Sequence, residues 1–351
     1  NGGRDNAFTS FDYTGYYQTI GIDRIEIVMK IEADRMRNLV FDPDEVETER
    51  QVIKEERRSR TDNSPSARLG EQLNAAMYLN YPYRHPIIGW ANEIDKLSLG
   101  DLKSFYNTYY WPNNSILVVA GDITAKILRP LAEKYYGKIP AGKVPKRSRP
   151  KEPPHDAARI VKLRDKRVIK PVWRQAFLAP SYVYGKIKHT YALEVLSQIF
   201  GEGTTSRLYR SLVMEEKLAL SAGSYYDADK LGPSSFVIYA SPRSGISMAQ
   251  LESGVIKQIK LLLNNGVTVD EVRRAKTILQ AHAIYARDSI NAGARVLGAS
   301  LSAGQTIEDV ESWPDRIGAV TSNQIYDAAN FVLVYKKSVT GLLIPEDQDK
   351  E

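Results

Sequence analysis

Two glutamates spaced seven residues apart are the side chains of this sequence best placed to do chemistry. They lie in residues 42–60, DPDEVETERQVIKEERRSR, which predict one helix because Asp42 can cap the first turn and Pro43 fits the first helical position. At about 100° per residue, one arc of roughly 120° holds two acids among apolar residues: Val46, Glu49, Val52, Ile53 and Glu56. Other charged residues of the helix fall outside that arc, including Glu47, Arg50, Lys54, Arg57 and Arg58.

Carboxylates on a core-facing side of a helix need a partner. An ionised carboxylate among apolar side chains is costly unless it is paired, hydrogen-bonded or bound to a metal. Glu55 lies well outside the arc, so Glu56 is the better candidate of the two adjacent acids. The pattern indicates either that Glu49 and Glu56 have such partners or that both lie at a partly hydrated domain edge, and the helix alone leaves both open.

Composition and charge exclude several classes of protein. The 351 residues are 43% hydrophobic and 26% charged, which is typical of a globular protein with about two domains. The absence of cysteine excludes disulfides and thiolate chemistry and leaves His, Asp and Glu as metal ligands. No apolar run approaches the roughly 18 residues of a membrane span. The net charge of +6 is spread among acids, so we expect a hydrated basic surface and no nucleic-acid partner.

Periodicity predicts an α+β fold of two similar halves, each with a mostly antiparallel sheet packed against several helices. In the first half we expect strands over 6–18 and 115–120, the second of them buried, and helices over 22–39, 42–60, 67–78, 101–110 and 124–136. In the second half we expect strands over 172–178, 219–226, 235–240 and 338–343, and helices over 188–200, 208–216, 248–264, 269–286 and 322–330. Residues 139–156 carry five prolines and clustered charge, which indicates an extended, Pro-rich linker. The predicted domains are residues 1–140 and 159–351, joined by a linker over 141–158.

Four motifs resemble a known peptidase family. They are NAFTSFDYTGYY (6–17), ERQVIKEERR (49–58), YYWPNNSILVVAGD (109–122) and FGEGTTSRLY (200–209). Across nearly the whole chain the sequence resembles the pitrilysin/insulinase-type zinc metallopeptidases, the inverted zincins. The resemblance implies a zinc-dependent endopeptidase that hydrolyses peptides or flexible polypeptide segments in a closed chamber. It also implies that the substrate is held as an added β-strand by Asn6, Ala7, Phe8 and Thr9.

The resemblance implies a set of zinc ligands as well. In the family, two His of an HxxEH motif and a Glu on a later helix hold Zn²⁺; this Glu corresponds to Glu56, and Glu49 matches a supporting acid near the metal. The sequence contains no HxxEH, and its four His, at 85, 155, 189 and 282, are scattered. We therefore expect the two His ligands and the general-base Glu upstream of Asn1 in the natural protein, and the printed chain to be inactive alone.

The second half departs from the family at one further point. The family supplies an Arg and a Tyr, seven residues apart, that contact the substrate, and the aligned positions here are Val213 and Leu220. The resemblance therefore implies a related partner subunit that contributes the missing pair, as in enzymes like the two-subunit mitochondrial processing peptidase. Exported bacterial relatives favour the periplasm, with the cytoplasm or the mitochondrial matrix as alternatives. The alternative function is a non-catalytic structural subunit of the same fold, as in respiratory complexes.

Overall fold

The computed structural model describes residues 1–346. Helices and strands are mixed throughout, so the α+β class predicted from the sequence is confirmed. Contacts divide the chain into two compact units, the first made of Asn1–Arg58, Ile87–Arg149 and Arg287–Ser302, the second of Ser59–Pro86, Pro150–Ala286 and the residues from Ala303 onwards. The domain boundaries expected from the sequence at 140 and 159 stay a prediction. None of the described helices is long and apolar enough to cross a membrane.

The described strands are β1 (Arg4–Thr9), β2 (Thr14–Thr19), β3 (Arg159–Arg164), β4 (Val172–Ala179), β5 (Ala219–Tyr226), β6 (Ser234–Pro242) and β7 (Ser338–Ile344). The α-helices of the first unit are α1 (Ile25–Asn38), α2 (Pro43–Arg57), α4 (Ala91–Ile94), α5 (Leu99–Tyr109), α6 (Ala125–Tyr135) and α10 (Ala292–Ser302). Those of the second unit are α3 (Pro65–Met77), α7 (Thr190–Gly201), α8 (Met248–Asn265), α9 (Val269–Ala286), α11 (Ile307–Glu311), α12 (Trp313–Ala319) and α13 (Ser322–Val332).

The N-terminal residues form a β-hairpin rather than the single strand predicted over 6–18. β1 and β2 pair antiparallel, with Phe8 opposite Gly15. Ser10 makes the turn, because its Oγ accepts the Tyr13 N–H at 3.1 Å, a local bond that competes with extended structure. Gly15 is required opposite Phe8, since a Cβ there would lie 2.4 Å from the phenyl ring.

Residues 115–120 do not form the buried strand that their apolar run predicts. They have no regular secondary structure, and Ile116 and Leu117 are 49% and 51% exposed. A strand needs a neighbour that satisfies its backbone groups, and no strand within residues 1–346 pairs with this segment. The prediction was wrong because high β-propensity alone does not make a strand.

The second unit is built on a five-stranded sheet in the order β3-β7-β4-β6-β5. Only β3 and β7 run parallel in this sheet, so the mostly antiparallel sheet expected for this half is confirmed. Almost every residue of α7 is buried, which is typical of a helix that is apolar all round. The core contains the large side chains Trp173, Phe177, Phe200 and Phe236. Each such side chain stabilises the fold by roughly 1.5–3 kcal/mol when it is removed from water.

The last part of the Pro-rich segment is anchored to its surroundings. Residues 140–156 have no regular secondary structure. The Glu152 carboxylate accepts the N–H groups of Leu79, Asn80 and Tyr81 at 2.6, 3.1 and 2.7 Å, and its side chain is only 3% exposed. This part of the segment is therefore packed into the second unit rather than hydrated.

Candidate metal and peptide site

α2, which carries both glutamates, begins where the sequence predicts. Asp42 Oδ1 accepts the N–H groups of Asp44 and Glu45 at 2.8 and 3.2 Å. These bonds satisfy two of the first-turn donors that have no partner inside the helix. Pro43 follows at the start of the helix, where no N–H is needed. The helix predicted over 42–60 is confirmed, and its last turns, Arg58–Asp62, are π-helical.

The side of α2 that packs on its own unit is not the side predicted. Arg50 Nη1 donates to the Ile94 carbonyl at 2.8 Å, and Arg57 Nη1 donates to the Gly89 carbonyl at 2.7 Å. Arg57 is only 6% exposed. The contact face is rotated by about 90° from the predicted arc, taking 100° per residue. Arginines bury their stems while their N–H groups reach backbone carbonyls, and apolar periodicity does not detect such packing.

Glu49 and Glu56 lie on the flank of that contact face. Glu49 is exposed and Glu56 is half-buried, and the two Cα atoms are about 10.5 Å apart along the helix axis. The Glu49 side chain makes no hydrogen bond or ion pair with any of residues 1–346. The expectation that both acids lie on a core-facing stripe was therefore wrong for the described chain. The exposure of Glu49 and the half-buried position of Glu56 do not by themselves demand a cation.

The histidines do not complete a metal site around these acids. His155 is buried with its Nε2 3.2 Å from Glu152 Oε1, and His189 stacks on Phe331 at a ring-centroid distance of 4.9 Å. His85 and His282 are exposed. Within residues 1–346, no group of three or more His, Cys, Asp or Glu side chains could hold a metal ion. Catalytic zinc takes three protein ligands, so the described residues alone do not fit a zinc centre.

β1 presents an edge that carries the predicted peptide-binding residues. The hairpin is a two-stranded sheet, so β1 pairs on one side only within the described chain, and all six of its residues are exposed. Asn6 Oδ1 accepts the Ala7 N–H at 2.8 Å, and Phe8 is 41% exposed. An unpaired edge of this kind can accept an extended peptide through backbone hydrogen bonds.

The two positions aligned with the family's Arg and Tyr carry apolar side chains in different surroundings. Val213 is buried at 9% exposure, whereas Leu220, on β5, is 48% exposed. Neither side chain has a group that could donate a hydrogen bond to a substrate oxygen.

A partly buried acid in the second unit escaped the sequence analysis. Glu194 lies on α7, where Tyr182 Oη is hydrogen-bonded to its Oε1 and Trp313 Nε1 donates to its Oε2 at 2.9 Å. Burial raises the pKa of Glu194 to about 8, although the hydrogen bonds from Tyr182 and Trp313 lower it in part. A single acid inside the apolar run TYALEVLSQIFG was the signal that could have revealed it.

Two family models match the sequence. The model described as "Insulinase (Peptidase family M16)" matches residues 1–90. The model described as "Peptidase M16 inactive domain" matches residues 96–279, which is more than half of the chain.

Individual proteins show the same similarity. The zinc protease PqqE of Helicobacter pylori is 30% identical over 279 residues, which cover 78% of this chain and 62% of that relative. A crystal structure of a protease from Helicobacter pylori has a TM-score of 0.89 at 28% identity and covers 98% of this chain and 83% of that chain. The periplasmic protease PqqL from Escherichia coli shares the fold, with a TM-score of 0.80 at 19% identity over 97% of this chain and 39% of that one.

The chain therefore spans less than two thirds of the length of its relative PqqE. The first model covers the motifs at residues 6–17 and 49–58, and the second covers those at residues 109–122 and 200–209. The α+β fold agrees with this assignment. On these grounds the chain belongs to the peptidase M16 family, whose relatives include named zinc proteases.

Proposed function

We propose that this chain is the zinc-bearing part of an M16 endopeptidase, with Glu56 as one metal ligand. The observation that carries the proposal is that Glu49 and Glu56 lie on the same flank of α2. Arg50 and Arg57 hold the neighbouring side of the helix against its own unit, and Glu49 and Glu56 lie together on the flank beside that side. Membership of a family with named zinc proteases supports a metal-binding role for these acids.

The remaining ligands are proposed to come from outside the printed sequence. No described His lies in a group that could hold a metal, and a catalytic zinc takes three protein ligands. In this proposal two His and the general-base Glu of an HxxEH motif precede Asn1 in the natural protein. Glu49 would support the centre by a hydrogen bond to a ligand, a role that outer carboxylates commonly have at metal sites.

The substrate of this proposed enzyme is an extended peptide or a flexible polypeptide segment. The β1 edge at Asn6, Ala7, Phe8 and Thr9 would hold it as an added strand inside a closed chamber, mainly through backbone hydrogen bonds and therefore with loose sequence preference.

Two further parts of the proposal concern the surroundings of the enzyme. Because Val213 and Leu220 cannot donate hydrogen bonds, a related subunit is proposed to supply the Arg/Tyr pair in a hetero-oligomer. The periplasm is proposed as the compartment, supported by the fold shared with a periplasmic protease.

The test is peptide cleavage by the natural gene product, purified with its associated subunit. A fluorogenic peptide should be cleaved by the wild type, and Glu56→Gln should abolish cleavage. Glu55→Gln is the matched control, because this adjacent acid is exposed and pairs with Arg58 on the solvent side; it should leave cleavage unchanged. Full activity of Glu56→Gln would contradict the assignment of Glu56.

The second candidate function is a non-catalytic structural subunit of the same fold. The matching of residues 96–279 to an inactive domain and the lack of a metal-holding group among the described residues favour it. In that case the natural gene product would lack HxxEH, would bind no zinc and would cleave no peptide, yet would purify as a stable complex.

A further inference from the structure

A polar cavity of about 230 Å³ lies in the second unit, away from α2 and β1 along the chain. It is formed by the end of α7, the segment that follows it and one side of α9. Its polar lining includes Gln198, Thr205, Arg207, Arg210, Ser211 and Arg274.

One of its three arginines has a structural role. Arg207 forms a two-pronged ion pair with Glu271, at 2.6 and 2.7 Å. Burial raises the pKa of the Glu271 carboxyl, but hydrogen bonds from Arg207 and the Thr268 N–H outweigh it and lower the pKa to about 2. This wall of the cavity is thus an internally neutral pair that holds α9 in place.

Of the other two arginines, Arg274 contributes a positive charge that no acid of the cavity offsets. It lies one turn along α9 from Glu271 and is exposed, and its side chain makes no hydrogen bond or ion pair with any of residues 1–346. Arg210 faces Glu215 at 3.6 Å, with both side chains at least 60% exposed, and an exposed ion pair of this kind contributes little. A guanidinium favours carboxylate and phosphate groups, which it can bind with two parallel hydrogen bonds.

The cavity wall also holds a buried acceptor without a partner. Gln198 is only 7% exposed. Its Nε2 donates to the Glu202 carbonyl at 3.4 Å, whereas its Oε1 is shielded from solvent and has no hydrogen-bond partner in the described chain. A buried acceptor left unsatisfied is costly, so a turn of this amide towards a ligand that brings an N–H or O–H group into the cavity would be favoured.

We propose that this cavity binds a small anion, a carboxylate or a phosphate monoester, that carries a hydrogen-bond donor next to its charged group. Arg274, assisted by Arg210, binds the anionic group, and Gln198 Oε1 accepts the donor. The proposal does not depend on the peptidase function, because the cavity shares no residue with α2 or β1.

Binding is measured by calorimetry on the full chain with two probes. N-acetylglycine tests for a carboxylate ligand, and methyl phosphate tests for a phosphate monoester. Saturable binding of at least one is expected. Arg274→Gln should weaken it by about tenfold or more, as expected for the loss of a charged hydrogen bond. Arg273→Gln is the matched control on the same helix, since Arg273 is paired with Asp270 in solvent; it should change the affinity less than twofold.

The donor is tested with Gln198→Met and, for the carboxylate probe, with N-acetylsarcosine, in which a methyl group replaces the N–H. The wild type should prefer N-acetylglycine by roughly two- to tenfold, the range of a neutral hydrogen bond, and Gln198→Met should remove this preference. The variant should fold with unchanged or higher thermal stability, because it loses an unsatisfied buried group. If only methyl phosphate binds, the measurement is made at about pH 5, below the second phosphate pKa of about 6, where the monoanion still carries a P–O–H donor; its loss in Gln198→Met then provides the same test.

Three results would overturn the proposal. They are the absence of saturable binding of either probe, equal affinities in the wild type and Arg274→Gln, and a folded Gln198→Met variant that binds both probes as the wild type does.

Discussion

Replacing Glu194 by Gln should change how the stability of the second unit depends on pH. Glu194 is held between the Tyr182 hydroxyl and the Trp313 indole. Glutamine keeps the shape and can accept the Trp313 N–H while it donates to Tyr182, so it imitates the protonated acid. Asp227 and Asp229 add to the repulsion of a charge at this site.

The sign of the effect follows from the pKa. Burial raises the pKa of Glu194 from its ordinary value of 4.5 to about 8. Above pH 4.5 the unfolded chain releases this proton while the folded chain retains it, so stability falls as the pH rises towards 8. Integrated over that window, the loss in the free energy of unfolding is on the order of 5 kcal/mol.

The assay is urea unfolding of the wild type and Glu194→Gln at pH 5, 7 and 9, followed by far-ultraviolet circular dichroism. The two proteins should be equally stable within about 1 kcal/mol at pH 5, where neutral acid and amide make comparable hydrogen bonds. At pH 9 the variant should be the more stable by several kcal/mol. Glu311→Gln, at an exposed position on α11, should follow the wild-type curve.

A constant difference between wild type and Glu194→Gln from pH 5 to pH 9 would refute the reasoning. It would mean that Glu194 titrates at the same pH in the folded and unfolded chain, which a partly buried acid hydrogen-bonded to neutral groups should not do.

Two further substitutions test the local packing. Gly201→Ala should prevent stable folding of the second unit, because a Cβ there would lie 1.8 Å from the Ser224 backbone nitrogen. Gly293→Ala is the control, because nothing lies within 4 Å of a Cβ at that position. It should be neutral or should stabilise the protein by up to about 1 kcal/mol in thermal unfolding. Asp42→Ala should destabilise the first unit by about 1 kcal/mol in thermal unfolding, because it removes the helix cap. Asp44→Ala removes the same charge from the first turn and should cost less than half as much. Equal effects of the two substitutions would show that charge rather than capping stabilises α2.

Local signals in the sequence were enough to place most helices and four of the five strands of the second unit, whereas β3 (Arg159–Arg164) was missed. The cap at Asp42 and the apolar run of α7 act within their own segments, so they can be read without knowing the fold. The turn between β1 and β2 was missed because it depends on the hydrogen bonds of one short side chain, Ser10, within a segment rich in β-forming residues.

The failures arose where tertiary contacts decide the outcome. The apolar arc of α2 pointed to the wrong side because Arg50 and Arg57 pack through hydrogen bonds to backbone carbonyls of distant residues. Residues 115–120 have strand-forming side chains but no neighbouring strand within the described chain. The buried position of His155 depends on Glu152 and Arg159, and nothing in a Pro-rich stretch indicates such a network.

The candidate site was predicted more by resemblance than by physics. The motifs identify the family, but the reasoning that two core-facing acids require a cation does not survive the observed exposure of Glu49. Glu56 as a zinc ligand and the β1 edge as a peptide-binding strand stay predictions.

The most direct test of the central claim is the zinc content of the natural gene product, measured by elemental analysis after dialysis against a weak chelator. The proposal expects one zinc per chain in the wild type and in Glu55→Gln, and less than a tenth of that in a folded Glu56→Gln. Zinc retained in full by Glu56→Gln, or absent from the wild type, would contradict the claim that this helix contributes to a zinc centre.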